Sequence, residues 1–435
     1  MYRPALAMVA ATVATFVVPS TALALQPIDT FLAGARANHP DAVAADATYR
    51  QREAEVGQAR GRLLPSLTAR GTYTHNQFEV KATLPGAGEL VITPQNQVDA
   101  LFLLDVPIVD LASFARYGAQ KKQAELADAV RAQTRRALEE RVVRAYYLYA
   151  ATAGLGQTAE RTLELAEKNK KNVSDKLEAG LASPLDLERA IANVERAKQD
   201  VADAVLSKTL SARALETLSR IAPEAVTALP EDDLHDEGTL DAWVAAIDPN
   251  LPQRRVAESE RKLAEASRDA AKLTFVPALS AQAQERLTNA TGFTGRVGTY
   301  ALSATLSFRF DFGQVAQLDA AKAAQEASLA RAEGARRSTE DAVVEAYHRI
   351  AASLAKARAA RAQARAADKA ASIAEDRYAA GTSTQLDVTQ AQRDAFSANV
   401  GRIQADLDLA QSRAVLRLAT GKPLSFRTSG DRPSP

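Results

Sequence analysis

A chain of 435 residues with 54 basic and 53 acidic side chains carries a net charge of only +1. These charges are mixed along its length, and that excludes the basic field a nucleic-acid partner needs. Aromatic residues are 5% of the chain and alanine dominates residues 314–379, so a thick globular core is excluded, while thin layers of closely approaching helices are not. There is no cysteine, which excludes disulfides, thiolate metal sites and a lipid-bearing cysteine.

In chain order, Arg3 precedes an apolar stretch, Ala5–Val18, closed by Pro19 and followed by Thr21-Ala22-Leu23-Ala24. A charged start, a short apolar core and a small-residue site predict a signal peptide over 1–24, with export of the remainder. A first helix is expected over 41–63 behind Asn38-His39-Pro40, with the proline near its start. At Leu64 the period changes to two: Leu67, Ala69, Gly71 and Tyr73 fall on one face, and Ser66, Thr68, Arg70, Thr72 and Thr74 on the other. This predicts a strand within 64–76. A Pro/Gly-rich loop over 79–96 leads to a second strand within 98–109. A long helix then runs over about 112–179, turns at Gly180, and returns over 184–218.

Residues 222–250, with Pro223, Pro230, the acidic run Glu231-Asp232-Asp233 and the lone Trp243, are expected to link two halves at the girth of the molecule. The same series then starts again: a helix over 251–273, strands within 275–286 and 299–310, a helix over 314–380, a turn at Gly381, and a return over 385–418. In the last strand Leu302, Ala304, Leu306, Phe308 and Phe310 alternate with Ser303, Thr305, Ser307 and Arg309. A tail, 422–435, is expected to be disordered. The halves, 25–221 and 251–421, are copies: Gly381 − Gly180, Asp387 − Asp186, Leu386 − Leu185 and Tyr347 − Tyr146 all equal 201.

The predicted fold is mainly α with a four-stranded antiparallel sheet per chain, internally duplicated, with long helical hairpins. Strands of about ten residues, apolar on one side and polar on the other, suit a wall between lipid and water. Four strands cannot close into a barrel, and an open edge in lipid leaves backbone groups unsatisfied. Several chains must therefore share one barrel; two would give a plugged barrel and three a twelve-stranded pore. Each long helix of about 65 residues spans roughly 100 Å, with apolar stripes at Ala145, Leu148 and at Ala346, Ile350 suited to coiled-coil packing. The return helices are half as long, so the short helices 41–63 and 251–273 are expected to stack end to end with them.

Two copies of helix, strand, strand, long helix, glycine turn and helix, with Arg377-Tyr378-Ala-Ala-Gly381-Thr382 and then Asp387-Val388 at the second turn, resemble the TolC-type outer-membrane efflux proteins over about 30–420. The resemblance implies a homotrimer in the outer membrane of a Gram-negative bacterium. Its twelve-stranded β-barrel would sit in outer-membrane lipid and its α-helical barrel would cross the periplasm. An inner-membrane transporter and a periplasmic adaptor would engage the tips, for efflux or type I secretion. It further implies that Gly180, Leu181, Gly381 and Thr382 are adaptor-contact tips, that Asp186 and Asp387 line a closed entrance, and that Tyr378 helps to hold it shut. The chain departs from that pattern at Ser383, where some relatives carry arginine, and at Gln390, where they carry a second acid. A weaker closing network is expected.

Read on chemistry alone, Asp186 and Asp387 are equally first-turn acids favoured by the helix dipole, and Tyr378 a packing residue at a helix end. Lys168, Lys170, Lys171 and Lys176 form a basic cluster near the first tip, read as a solvated face or as an adaptor contact. His39, His75, His235 and His348 are scattered without a second ligand at metal spacing, and no catalytic constellation or phosphate loop can be assembled. No metal, no cofactor and no enzymatic activity are expected. The competing reading is a periplasmic coiled-coil adaptor or scaffold without a pore.

Overall fold

The computed structural model describes residues 26–84, 88–224 and 232–422. The expected signal peptide, residues 225–231 of the expected linker, and residues 423–435 of the expected tail lie outside the described residues.

The elements come in matched pairs. Helices α2 (Pro40–Gly61) and α6 (Pro252–Leu273) have 22 residues each. Helices α3 (Leu111–Glu178) and α7 (Phe312–Ala379) have 68 each, and the return helices α4 (Pro184–Ser219) and α8 (Gln385–Thr420) have 36 each. Each long helix is capped at its start by an aspartate that closely follows the preceding strand. Asp110 accepts from the Ser113 amide at 2.8 Å, and Asp311 accepts from the Gln314 amide at 3.0 Å, satisfying donors that a helix start otherwise leaves orphaned. Asp311 − Asp110 is again 201.

Strands β1 (Ser66–His75), β4 (Asn96–Val109), β5 (Ala278–Thr288) and β6 (Gly298–Ser307) form one antiparallel sheet in the order β1-β4-β5-β6. Its register keeps every apolar set on one face. Leu67, Ala69, Gly71 and Tyr73 lie opposite Leu104, Phe102, Ala100 and Val98. Leu104 and Ala100 face Ala283 and Leu287, which face Leu302 and Gly298. The opposite face collects Arg70, Thr72, Asp99, Asp105, Gln282, Gln284, Arg286, Ser303 and Thr305, with Leu101 and Leu103 of β4 as its large apolar members. Glu285, paired with Phe102 and Tyr300, is the acid on the apolar face. Both outer strands, β1 and β6, are exposed along their whole length.

The helices continue the sheet. α3 packs against α2 and α6, and α6 against α7, so the row α2-α3-α6-α7 repeats the order of the strands to which these helices connect. Farther from the sheet α3 packs against α4 and α8, and α8 against α7, giving the row α4-α3-α8-α7. α4 thus lies below α2, and α8 below α6. The junction is direct: the Asp248 amide donates to Thr420 O at 3.1 Å, just where α8 ends and α6 is about to start. The wall is one helix thick. Alanine is the commonest of its buried residues, with larger side chains (Leu138, Val142, Val143, Leu215, Val343, Ile350, Leu409, Leu416) concentrated at the girth. Ala145, Ala346 and Ile350 are buried as their stripes predict, whereas Leu148 is 43% exposed.

Three elements lack a periodic signature in the sequence. Helix α1 (Ile28–Asn38) buries Phe31, Leu32 and Ala35 against the girth, with Phe31 edge-on to Tyr146. Gly34 permits that contact, because a Cβ there would lie 2.5 Å from Ser219 O. The loop expected over 79–96 contains a hairpin, β2 (Val80–Leu84) with β3 (Gly88–Thr93). The described part of the linker forms a strap, 232–247, with a short helix α5 (Leu240–Ala245); Leu234, Trp243, Val244 and Ile247 pack on the α7/α8 core. The last predicted strand ends at Ser307, leaving Phe308 and Phe310 beyond it; Phe310 stacks edge-on with Phe312 of α7.

Candidate functional site at the hairpin tips

Both hairpins turn by the same local chemistry. Gly180 and Gly381 have φ of 72° and 76°, the left-handed conformation that costs a side-chain-bearing residue about 1 kcal/mol. The Leu181 amide reaches Lys176 O at 2.7 Å and Gly180 reaches Leu177 O at 2.9 Å; Thr382 reaches Arg377 O at 2.9 Å and Gly381 reaches Tyr378 O at 3.1 Å. This paired closure answers carbonyls that the ending helix leaves open. Leu181, Leu185 and Leu386 are exposed beside the turns, so each tip presents apolar surface to water.

The next helix is capped reciprocally. The Ser183 hydroxyl and the Asp186 amide meet at 3.2 Å, and an Asp186 oxygen accepts from the Ser183 amide at 3.2 Å and its hydroxyl at 2.7 Å. At the second tip one Asp387 oxygen accepts from the Thr384 amide and hydroxyl, both at 2.8 Å. These bonds favour the charged form, and the Thr384 amide and hydroxyl hold the Asp387 carboxyl below the ordinary aspartate value of 3.8. Within one chain, both acids are thus engaged as capping-box members.

Tyr378 joins the two copies. The Lys176 ammonium donates to Tyr378 O at 2.5 Å and sits 3.9 Å from the centre of its ring, a cation–π contact. Burial, and then the charge of Asp186, push the Tyr378 phenol above its ordinary value. In sequence Lys176 belongs to a cluster with Lys168, Lys170 and Lys171; the structure separates it from them as a contact of the first copy with the second. Its position was marked only by Arg377, which stands 201 residues later. A second bridge is polar and buried: Asn193 of α4 donates to Gln392 of α8 at 3.4 Å, and Gln392 donates to Glu375 of α7 at 2.7 Å. Ser383 bonds back to Ala374 O at 3.3 Å and Gln390 to Asp394 at 2.9 Å; both bonds stay within the second hairpin.

Away from the tips, Asp232, Asp233 and His235 bring potential ligand atoms within 4.8 Å of one another, a closeness that the spacing of histidines did not reveal. Arg413 occupies that centre. Its guanidinium donates to Asp232 at 3.1 Å, His235 Nε2 at 2.8 Å and Glu237 at 2.5 Å, and His235 Nδ1 contacts Asp233 at 2.5 Å. The group is an arginine clamp fixing the strap to α8.

The sequence matches the family described as "Outer membrane efflux protein" over residues 32–219 and 247–422. It is 28% identical over 387 residues to the probable efflux pump outer membrane protein TtgC of Pseudomonas putida, covering 83% of this chain and 76% of that one. In fold it is similar to the open state of the MtrE outer membrane channel of Neisseria gonorrhoeae, with a TM-score of 0.74, 23% identity and coverage of 92% and 90%. The CmeC outer membrane channel of Campylobacter jejuni matches with a TM-score of 0.75, 16% identity and coverage of 96% and 94%.

Proposed function

The chain belongs to the outer membrane efflux protein family, an outer-membrane exit duct rather than an enzyme, and from that premise we propose how it works. Three copies join edge to edge, β6 of one beside β1 of the next, into a twelve-stranded barrel. The apolar face meets lipid and the polar face lines a watery lumen. The helical rows continue the barrel across the periplasm as a second tube. The functional units are the repeats 25–221 and 251–421, with 222–250 as an equatorial segment. Substrate is driven through by an inner-membrane transporter working with a periplasmic adaptor, which docks at Gly180, Leu181, Gly381 and Thr382; the duct supplies wall, lumen and gate.

The observation that carries this reading is the sheet. Apart from Glu285, one face is apolar across all four strands in register, and both edges are open. Such a sheet is unsatisfied in water on one face and in lipid at both edges, and closure by further copies resolves both. A pore-free scaffold does not need that face, and it requires the protein to be soluble when cells are opened without detergent.

The gate is formed by Asp186, Asp387 and Tyr378 around the trimer axis. The Lys176–Tyr378 contact ties the second hairpin to the first in the closed state, and the capping boxes fix where each carboxylate sits. Three Asp387 side chains around one opening favour cations in the lumen. Purified protein in planar bilayers should conduct ions, and Asp387→Ala should raise conductance or reduce cation preference. Unchanged conductance and selectivity in that variant would leave Asp387 with its capping role alone.

A further inference from the structure

The strap is present on one half of the wall and missing, among the described residues, from the other. Where α4 ends, the chain crosses α3, with the Tyr149 hydroxyl donating to Glu224 O at 2.9 Å, and then lies on α7 and α8. Three arginines receive it: Arg358 donates to Leu234 O at 2.9 Å, Arg361 to Asp232 O at 2.8 Å, and Arg413 to the acids already named. Arg361 in turn holds the buried Asp406 at 2.9 Å. Covered in this way, Asp406 is only 6% exposed.

Moving 201 residues back gives the same groove on α3 and α4, with Gln157, Glu160, Val205 and Ala212 in place of Arg358, Arg361, Asp406 and Arg413. There Val205 is 53% exposed and Glu160 is open to solvent. The basic groove has become an apolar one with an acid. The segment that follows α8 changes in the opposite sense. The strap brings Asp232, Asp233, Asp236 and Glu237, whereas the segment after Gly421 brings Lys422, Arg427 and Arg432 against the single acid Asp431. Both α4 and α8 end in a left-handed residue, Arg220 at φ 61° and Gly421 at φ 84°, so the two following segments leave in corresponding directions. Residues 422–435 correspond to 221–234, since 435 − 201 = 234; they include the counterparts of Asp232 and Leu234, whose backbone oxygens accept from Arg361 and Arg358. Arg432 corresponds to residue 231, next to the strap's Asp232.

Direction follows from the row α4-α3-α8-α7. The linker lies on α3 at Glu224 and on α8 and α7 from Asp232 onward; the same step taken from the end of α8 would lead past α7 to a neighbouring copy. The described start agrees. The Lys422 ammonium lies 4.0 Å from the centre of the Trp243 ring, on helix α5, which packs against α7. We infer that residues 423–435 of each copy dock in the groove between α3 and α4 of the next copy, Arg432 meeting Glu160, as the strap docks on α7 and α8 of its own chain. This rests on the trimer reading, and makes the girth a ring of interlocked chains.

The chain has no cysteine of its own, so the pair Val205→Cys with Ser434→Cys in the full-length protein is the only thiol pair. A short bifunctional thiol reagent on membranes should yield covalent dimers and trimers on a denaturing gel. Glu160→Lys should lower that yield by about threefold, and Arg432→Glu added to it should restore the yield, as expected for a partly exposed ion pair. Cross-links confined within single chains, no cross-links in protein that still conducts, or a yield indifferent to Glu160→Lys would overturn the inference while leaving the channel intact. Protein that neither assembles nor conducts would remove the channel reading and this inference with it.

Discussion

At the scale of single residues, the tip acids have two demands on them, and the structure shows the first being met by one carboxylate oxygen. Because Thr384 holds the folded-state value of Asp387 below its ordinary 3.8, the charged cap stabilises the folded tip fully above that ordinary value. The contribution is lost as pH falls through the lower folded one. The protection factors of the Asp387 and Val388 amides, which bond to Thr384, should therefore be constant around neutral pH and fall only in strong acid. Thr384→Ala removes the hydroxyl partner and is expected to cost about 1 kcal/mol of local helix stability, read at neutral pH as roughly fivefold faster exchange at these amides. Equal exchange in the variant would show that the helix start does not depend on its cap. The capping pairs were legible in the sequence, because Ser183/Asp186 and Thr384/Asp387 stand three apart before an apolar run. Lys176 was not, since nothing in linear spacing says which face of a 68-residue helix meets the other copy.

At the scale of elements, alternation carried the strands and their faces, and the repeat carried the helices, including their order and the stacking of α2 over α4 and α6 over α8. What escaped was structure with little periodicity of its own. Helix α1 is 11 residues long and held by four buried side chains, Ile28, Phe31, Leu32 and Ala35; the strap takes its shape from arginines on α7 and α8 more than a hundred residues away. Tertiary contacts of this kind leave no local pattern. The faces of the sheet make their own prediction. Leu302 lies on the apolar face midway along β6, and Thr305 on the polar face of the same strand. Leu302→Arg should cost about 2–4 kcal/mol in a bilayer, whereas Thr305→Arg should change stability by less than about 1 kcal/mol. Denaturant titration of the protein folded into vesicles measures both; equal costs would mean that the two faces do not meet different solvents.

At the scale of the whole molecule, the wall is one helix thick and one strand thick throughout, so no part of it encloses a space by itself. That is why alanine suffices for its interior, and why it carries girth clusters in place of one central core. It is also why the apolar stripe of a single chain ends in open strands at β1 and β6. If sister copies complete the cylinder, native mass spectrometry of the folded protein released from detergent micelles will give a mass of three chains. A folded, β-sheet-containing species with the mass of one chain would show that the cylinder is not built this way.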